Sequence, residues 1–245
     1  MEKDYEQKYH EVEDGHWWFV GRREIIKKIV NKFPKKSKIL DIGCSGGIIM
    51  QDLKKIGFSS VYGIDISKKA IELCKLKGIS NTYLMDAAKL SFNNKFDVMI
   101  ASDILEHTDN DNLTVKNWNI NLAKDGIVLC FVPAFPFLWS EHDASNKHFR
   151  RYTKKQLENV FRQNGFEIVR TSYWNFLLFL PISVIKLFSK IFKSDKKTLS
   201  QQIHLSNNSF INYFLVRLLR LENWMLNYVN FPFGVSLFVI AHKKI

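Results

Sequence analysis

The chain has 245 residues but only eleven glycines, five prolines and three cysteines. Cys44, Cys74 and Cys130 are odd in number and lack the paired spacing of a metal site, which excludes a disulfide framework and a thiolate metal centre. They suit a reducing compartment and small core positions. No segment has the charged, then apolar, then small-residue order of a secretory leader, so none is expected. Long apolar runs are missing too. "WNFLLFLPISVIKLFSKIF", from Trp174, stays unbroken for only about ten residues, against roughly 18 to 20 for a membrane span. No repeat, helix-turn-helix, zinc-finger or RNA-binding signature is present, and no Asn-Pro-Pro-Tyr or Cys-Pro element of base-modifying enzymes. No nucleic-acid partner is therefore expected, although the net charge is +12. Most of that excess is lysine scattered as solvated pairs.

What is there is a globular composition, 46% apolar and 24% charged. From Lys38 to Phe135 short apolar runs alternate with amphipathic stretches: "KILDIG", "VYGIDIS", "TYLMDAA", "FDVMIAS" and "GIVLCFVPAF" read as strands. "GGIIMQDLKKIG", "KKAIELCKLKG" and "NLTVKNWNINLAK" read as helices between them. This is the pattern of βαβ units and a mostly parallel sheet with helices on both faces, an α/β, Rossmann-like fold. A polar loop, "SEHDASNKHFRRY", follows the fifth strand. Then come a helix opened by Thr153 and stopped at Gly165, a strand "FEIVRTSYW", and a last strand at 234–243. The expected organisation is an N-terminal helical lid over 1–36, a core over 37–173, a helical insertion over 174–232 and the last strand of the sheet over 233–245.

Three of the scarce glycines crowd into "DIGCSGG", between the first strand and the first helix of the core. A strand, a glycine turn and a helix N-terminus form an anion- and nucleotide-binding arrangement, in which the backbone itself meets the ligand. The dinucleotide pattern G-x-G-x-x-G fails, because Ser45 and Ile48 stand where its glycines belong, and a P-loop fails for want of Gly-Lys-Ser/Thr. Asp41-x-Gly43-x-Ser45-x-Gly47 resembles the first motif of the class I, Rossmann-like S-adenosylmethionine-dependent methyltransferases, with Ser45 in place of the middle glycine. Companions follow in order. Asp65 ends the second strand, where a carboxylate can accept from both ribose hydroxyls. The resemblance implies that Ile66 packs on the adenine, that Asp86 and Ala87 meet its edge, and that Ser102 lies at the end of the fourth strand.

The cofactor implied is S-adenosyl-L-methionine, held by Asp41, Gly43, Cys44, Ser45, Gly47, Asp65, Ile66, Asp86, Ala87 and Ser102, with Trp17 and Arg22 as a lid. Arg22 would pair with its carboxylate. Core packing is the rival reading of Trp17 and Trp18. The flanks, "HWWFVGRREII" and "EHDASNKHFRRYTKKQLENVFRQNGFEI", resemble a subgroup linked to surface-glycan and lipid-linked substrates and, less closely, the ubiquinone-pathway O-methyltransferases.

Methyl transfer mainly needs alignment, and a base where the acceptor is an alcohol. The candidate catalytic residues are His142, His107 and His148, and the candidate acceptor-binding residues are Arg150, Arg151 and Tyr152. For His107 the alternative is a helix cap. For the arginines it is a solvated basic turn. Asp103, Glu106 and His107 form D-x-x-E-H, a pattern that gathers a divalent cation in the ubiquinone-pathway relatives; no metal is expected here. In the insertion, Ser183, Lys186, Ser189 or Lys190, and Lys193 recur at helical spacing and form a basic stripe opposite an apolar face. A second amphipathic stretch, "FINYFLVRLLRLENWMLNYV", carries polar Asn212, Arg217, Arg220, Asn223 and Asn227. Such helices lie on a membrane surface, or pack on each other or in a homodimer. The expectation is a cytoplasmic enzyme, peripheral at the inner face of the membrane, that methylates an oxygen on a small or lipid-linked acceptor. A soluble metabolite acceptor, or a non-catalytic cofactor-binding subunit, is the alternative.

Overall fold

The computed structural model describes residues 13–191 and 209–244. The linker "KSDKKTLSQQ" and Lys193 lie outside the described residues, as do the side chains of Ser189 and Lys190. Five parallel strands come first: β1 (Ile39–Ile42), β2 (Val61–Asp65), β3 (Thr82–Leu84), β4 (Phe96–Ser102) and β5 (Leu122–Pro133). They are followed by β6 (Phe166–Trp174) and β7 (Ser236–Lys243), which joins the sheet antiparallel between β5 and β6. The order is β3-β2-β1-β4-β5-β7-β6. All four residues of β1 are buried, as are the last eight of β5, because both faces of the sheet are covered. Between β1 and β4 the strand order reverses, and ligands of such sheets bind beyond the carboxyl ends of the strands at that point.

The helices are α1 (Trp17–Val30), α2 (Ile48–Lys55), α3 (Lys68–Leu76), α4 (Asp111–Asn121), α5 (Glu141–Ser145), α6 (Lys154–Gln163), α7 (Phe179–Ile191) and α8 (Ser209–Met225). Thr153 and Gln156 close a capping box on α6, and Gly165 follows its end at φ +80°, as the pattern predicts. Two stretches differ from expectation. The stretch expected to be helical through Lys124 turns to strand at Leu122, whose pairing with Phe96 outweighs helix propensity. The third strand is only three residues long, since Met85 onward turns away to form the site.

α7 and α8 lie between β6 and β7, and their orientation inverts a simple reading of their amphipathicity. Ser183 and Lys186, members of the expected basic stripe, are buried, and Lys186 Nζ donates to the Leu138 carbonyl at 3.2 Å. Leu180, Val184, Ile185 and Phe188 face outward. On α8 polar groups share the inward face with Val216 and Leu219. Asn212 accepts from the Trp17 N–H at 2.8 Å, and Asn223 donates to the Gly21 carbonyl and accepts from Trp174 Nε1. The buried Glu222 carboxylate accepts from the backbone N–H groups of Asn175 and Leu177. Phe210, Tyr213, Phe214, Leu221 and Trp224 are exposed.

Candidate active site

The loop from β1 to α2 turns because Gly43 and Gly47 adopt φ of +75° and +76°. Both are also hemmed in: a Cβ on Gly43 would strike Ile104, and one on Gly47 would strike Ile79. Ser45 takes a positive φ of 49° between them, and its N–H donates to Asp65 at 3.0 Å. The other Asp65 oxygen accepts from the Ser67 N–H at 2.8 Å, which orients the carboxylate at the end of β2. Beside it Ile66 is 75% exposed, an apolar side chain presented at a strand end. Asp86 accepts from the Ala88 N–H, and the Ala87 carbonyl accepts from Trp118 Nε1, so the turn after β3 is pinned by a buried tryptophan.

Asp41 is 1% exposed, and its Oδ2 has no hydrogen-bond partner among the described residues. Burial, then the neighbouring Asp65 and Glu13 charges, push its carboxyl up to about 8. Cys44 and Cys74 lie buried under the loop, where Cys74 Sγ meets the Ser45 carbonyl at 3.2 Å. A loop open to close approach, an oriented carboxylate, an exposed apolar face and an unpaired buried acid suit a ligand with hydroxyls, a flat ring and a cationic end. S-adenosylmethionine has all three, and these residues fit it.

Arg22, expected to pair with the cofactor carboxylate, is buried and engaged with groups of the chain at the ends of β4 and β7. It is 2% exposed, packed over the rings of Phe131 and Trp174. Its Nη1 donates to Ser102 Oγ at 3.1 Å and to Asp103 at 2.9 Å, and its Nη2 to Ser236 Oγ at 3.0 Å. It ties α1 across the ends of β4 and β7 and holds Asp103, which sits at φ 56°. Trp17 is 8% exposed and belongs to the core, while Trp18 meets Trp174 edge to face.

The three histidines come together. His107 ends a 3₁₀ turn, Leu105–His107, after β4, and its ring meets that of His148 at 4.5 Å between centroids. His142, on α5, lies 6.3 Å from His148. The expected polar loop is thus partly helical, and His142 is half-buried rather than exposed. Burial, with the His148 ring next, pushes His107 down to about 4; burial and then Lys186 do the same for His142. Glu106 is wholly buried, neither of its oxygens has a hydrogen-bond partner among the described residues, and burial followed by Asp103 pushes its carboxyl well up. One donor atom each from Glu106, His107 and His148 fall within 4.8 Å of one another, a spacing that could hold a cation.

Asp143, which the sequence pattern does not single out, organises this cluster. His148 Nδ1 lies 3.0 Å from its Oδ1, and Arg151 Nε donates to the same oxygen at 2.8 Å. Burial favours the neutral acid, but the His148 hydrogen bond and the Arg151 and Lys186 charges outweigh it and hold the carboxyl well below its usual range. An ionised Asp143 only accepts, so Nδ1 of His148 carries the hydrogen and Nε2 is the open ring atom. Only an unusual position in space, not spacing, marks Asp143. Arg151 also donates to the Ala134 carbonyl, and Tyr152 Oη reaches Asp111 at 3.1 Å. Arg150 pairs with Asp111 and the Asp109 carbonyl. The structure therefore uses Arg151 and Tyr152 as buried struts, in place of the acceptor contacts expected of them.

Residues 16–171 match the family described as "Methyltransferase domain". The chain is 36% identical over 99 residues to a ubiquinone biosynthesis O-methyltransferase of Pelagibacter ubique, covering 38% of this chain and 41% of that protein. The chain thus spans less than half the length of that curated relative. Solved structures share the fold. A SAM-dependent methyltransferase from Archaeoglobus fulgidus superposes with a TM-score of 0.56 at 20% identity, over 90% of this chain and 94% of that one. Phosphoethanolamine N-methyltransferase 2 of Haemonchus contortus, solved with S-adenosyl-L-methionine, superposes with 0.59 at 17% identity, over 91% of this chain and 52% of that one. The chain belongs to the methyltransferase-domain family as a class I, S-adenosylmethionine-dependent enzyme.

Proposed function

We propose that the enzyme methylates an oxygen on a lipid-linked acceptor, of isoprenoid or glycan type, taken from the surface of a membrane. One juxtaposition carries this reading. Lys186 of α7 donates to the Leu138 carbonyl and acts electrostatically on His142 of the histidine cluster, while the apolar side chains of α7 face outward. The name of the Pelagibacter relative, an O-methyltransferase of ubiquinone synthesis, supports an oxygen acceptor on an isoprenoid.

When bound, the cofactor supplies a methyl group already activated on a sulfonium. The residues of the chain supply the base. His148 takes the hydroxyl proton of the acceptor at Nε2, and Asp143 stabilises the resulting imidazolium through Nδ1. Arg151 keeps Asp143 ionised. His107 and His142, neutral at physiological pH, place no competing positive charge beside His148. Asp65 takes the ribose hydroxyls, Ile66 covers the adenine, and Asp86 and Ala87 meet its edge.

The test uses methyl-labelled cofactor, purified protein and an extract of the source organism split into lipid and aqueous fractions. Label is expected in the lipid fraction, on an O–CH₃ carbon by its chemical shift, and should fall by at least about a hundredfold for His148→Ala. Label confined to a small aqueous product would replace the lipid-linked reading with a soluble metabolite.

A further inference from the structure

Two thiols beneath the glycine loop have no part in methyl transfer. Cys44 lies in the loop itself, between Gly43 and Ser45, and Cys74 stands on α3. Both are free and buried, Cys44 at 4% exposure and Cys74 at 0%. Their sulfurs converge on one oxygen, the Ser45 carbonyl, which lies 3.2 Å from Cys74 Sγ and 3.9 Å from Cys44 Sγ. The two thiols also hydrogen-bond to each other.

Two glycines make room for the pair. A Cβ on Gly47 would lie 3.0 Å from Cys74 Sγ, and one on Gly63 would lie 2.9 Å from Cys44 Sγ. The chain around Cys44 is held to β2, because the Cys44 N–H donates to the Ile64 carbonyl at 2.9 Å and the Ser45 N–H to Asp65 at 3.0 Å. The sulfur pair thus bridges the cofactor loop and α3.

The two thiols are not equivalent. The bond from Cys44 lowers the Cys74 thiol from its ordinary value against the opposing effect of burial, and the same bond, then burial, raises Cys44. Cys74 is therefore the first of the pair to ionise, and the thiolate is the reactive form of cysteine.

We propose that Cys44 and Cys74 are a modification site, which a hydroperoxide closes into a reversible disulfide that weakens cofactor binding. The Cys74 thiolate attacks one oxygen of the hydroperoxide. An S–O bond forms as the O–O bond breaks, and the departing oxygen takes up a proton, leaving a sulfenic acid on Cys74. The Cys44 sulfur then attacks the Cys74 sulfur. The S–S bond forms as the S–O bond breaks, and the departing hydroxide leaves as water with the Cys44 proton. Two electrons pass from the sulfurs to the peroxide oxygens. Because both thiols are buried, the oxidant is a small one that arrives through local opening of the loop. Bonded sulfurs stand only about 2.05 Å apart, so closure draws Cys44 toward α3. Ser45 moves with it, and the Ser45 N–H is one of the two groups that orient Asp65. In a reducing compartment such a disulfide is transient, the form that senses an oxidant. The site is independent of which acceptor the enzyme methylates.

The experiment treats the full chain, reduced and free of cofactor, with hydrogen peroxide and digests it with trypsin in the absence of reductant. Cleavage at lysine separates Ile39–Lys54 from Ala70–Lys75, so mass spectrometry shows a disulfide as these two peptides joined, lighter than their sum by two hydrogens. Cys130, wholly buried in β5 with its thiol pushed well up by burial, is the internal control. Titration calorimetry with S-adenosylmethionine then compares the two forms. The joined form is expected to bind about tenfold more weakly or worse, and dithiothreitol to restore the affinity. Cys74→Ser should give no joined peptide and an affinity indifferent to peroxide. Recovery of Cys44 and Cys74 only in separate peptides, as thiols or as sulfinic and sulfonic acids, would overturn the disulfide. A joined pair with undiminished affinity would overturn its effect on the cofactor. So would an equal loss of affinity in peroxide-treated Cys74→Ser, since the damage would then lie elsewhere. The peptide map uses the unaltered chain, so it decides the disulfide whether or not Cys74→Ser folds.

Discussion

At the scale of single residues, the site is assembled from groups held away from their ordinary protonation. Asp41 is raised to about 8, so in the folded enzyme it is neutral at pH 7, while in the unfolded chain it ionises near its usual 3.8. A carboxyl raised on folding contributes stability that is complete below the unfolded value and is lost as pH rises through the folded one. His107 and His142 act in the opposite sense. Lowered from 6.5 to about 4, they cost stability as pH falls from 6.5 through 4, because the unfolded chain takes up protons that the folded one refuses. The cofactor-free protein should therefore melt at progressively lower temperature as pH falls from about 6 toward 4, where the two histidines outweigh Asp41, and as pH rises from about 6.5 to about 8, beyond which Asp41 costs nothing more. Asp41→Asn should make the alkaline limb shallower, with the raised Glu106 and Glu222 keeping the rest of it, and should steepen the acid limb, because Asp41 opposes the histidines there. Melting midpoints taken across pH 4 to 9 check this, and an unchanged alkaline limb in Asp41→Asn would remove Asp41 as its source.

At the scale of elements, legibility depended on whether a signal was local. The strand "ILDI" is four buried residues, and its composition alone says that both faces are covered. The capping box at Thr153 and the glycine turn at Gly43 are equally local, since each is a backbone requirement met within a few residues. The three histidines were legible as candidates because they follow strand ends. Asp143 was not, because its importance comes from His148 and Arg151, partners brought together by the fold. The faces of α7 and α8 were legible as amphipathic but not in their direction. A helical stripe says that two faces differ, not which one meets the protein. The direction is set by contacts such as Gly21 with Leu219. A Cβ on Gly21 would lie 2.5 Å from Leu219 Cδ1 and 3.0 Å from its Cβ, so α1 and α8 approach closely only because Gly21 has no side chain. Replacing Gly21 by leucine gains about 1 kcal/mol of helix propensity but forces overpacking of about 1–3 kcal/mol, with a carbonyl bond to Asn223 at risk as well. The overpacking should win, lowering the melting midpoint by several degrees at roughly 2–4 °C per kcal/mol. Gly15→Ala, where an added Cβ meets nothing within 4 Å, is the control and should change stability by no more than about 0.5 kcal/mol.

At the scale of the whole molecule, a net positive chain exposes apolar side chains on two helices. Leu180, Val184, Ile185 and Phe188 on α7, and Phe210, Tyr213, Phe214, Leu221 and Trp224 on α8, turn outward from a chain with a net charge of +12. No helix among the described residues is long and apolar enough to cross a membrane. An outward face of aromatic and aliphatic side chains on short helices suits a lipid interface, where each buried side chain of this size contributes about 1.5–3 kcal/mol and basic residues add attraction to anionic headgroups. The two contributions separate by salt. Sedimentation with vesicles containing phosphatidylglycerol should be strong at low salt and weaker, but not absent, in 0.5 M salt, because screening removes the charge attraction and leaves the apolar insertion. Phe188→Asp combined with Trp224→Asp should reduce partitioning at least tenfold in both salts, with each apolar loss alone worth about that factor. The cofactor affinity of this variant should stay unchanged, because neither residue touches the glycine loop. Intact protein that never sediments would refute the membrane contact, and if the exposed faces instead join two copies of the chain, the same double variant would halve the mass measured by analytical ultracentrifugation.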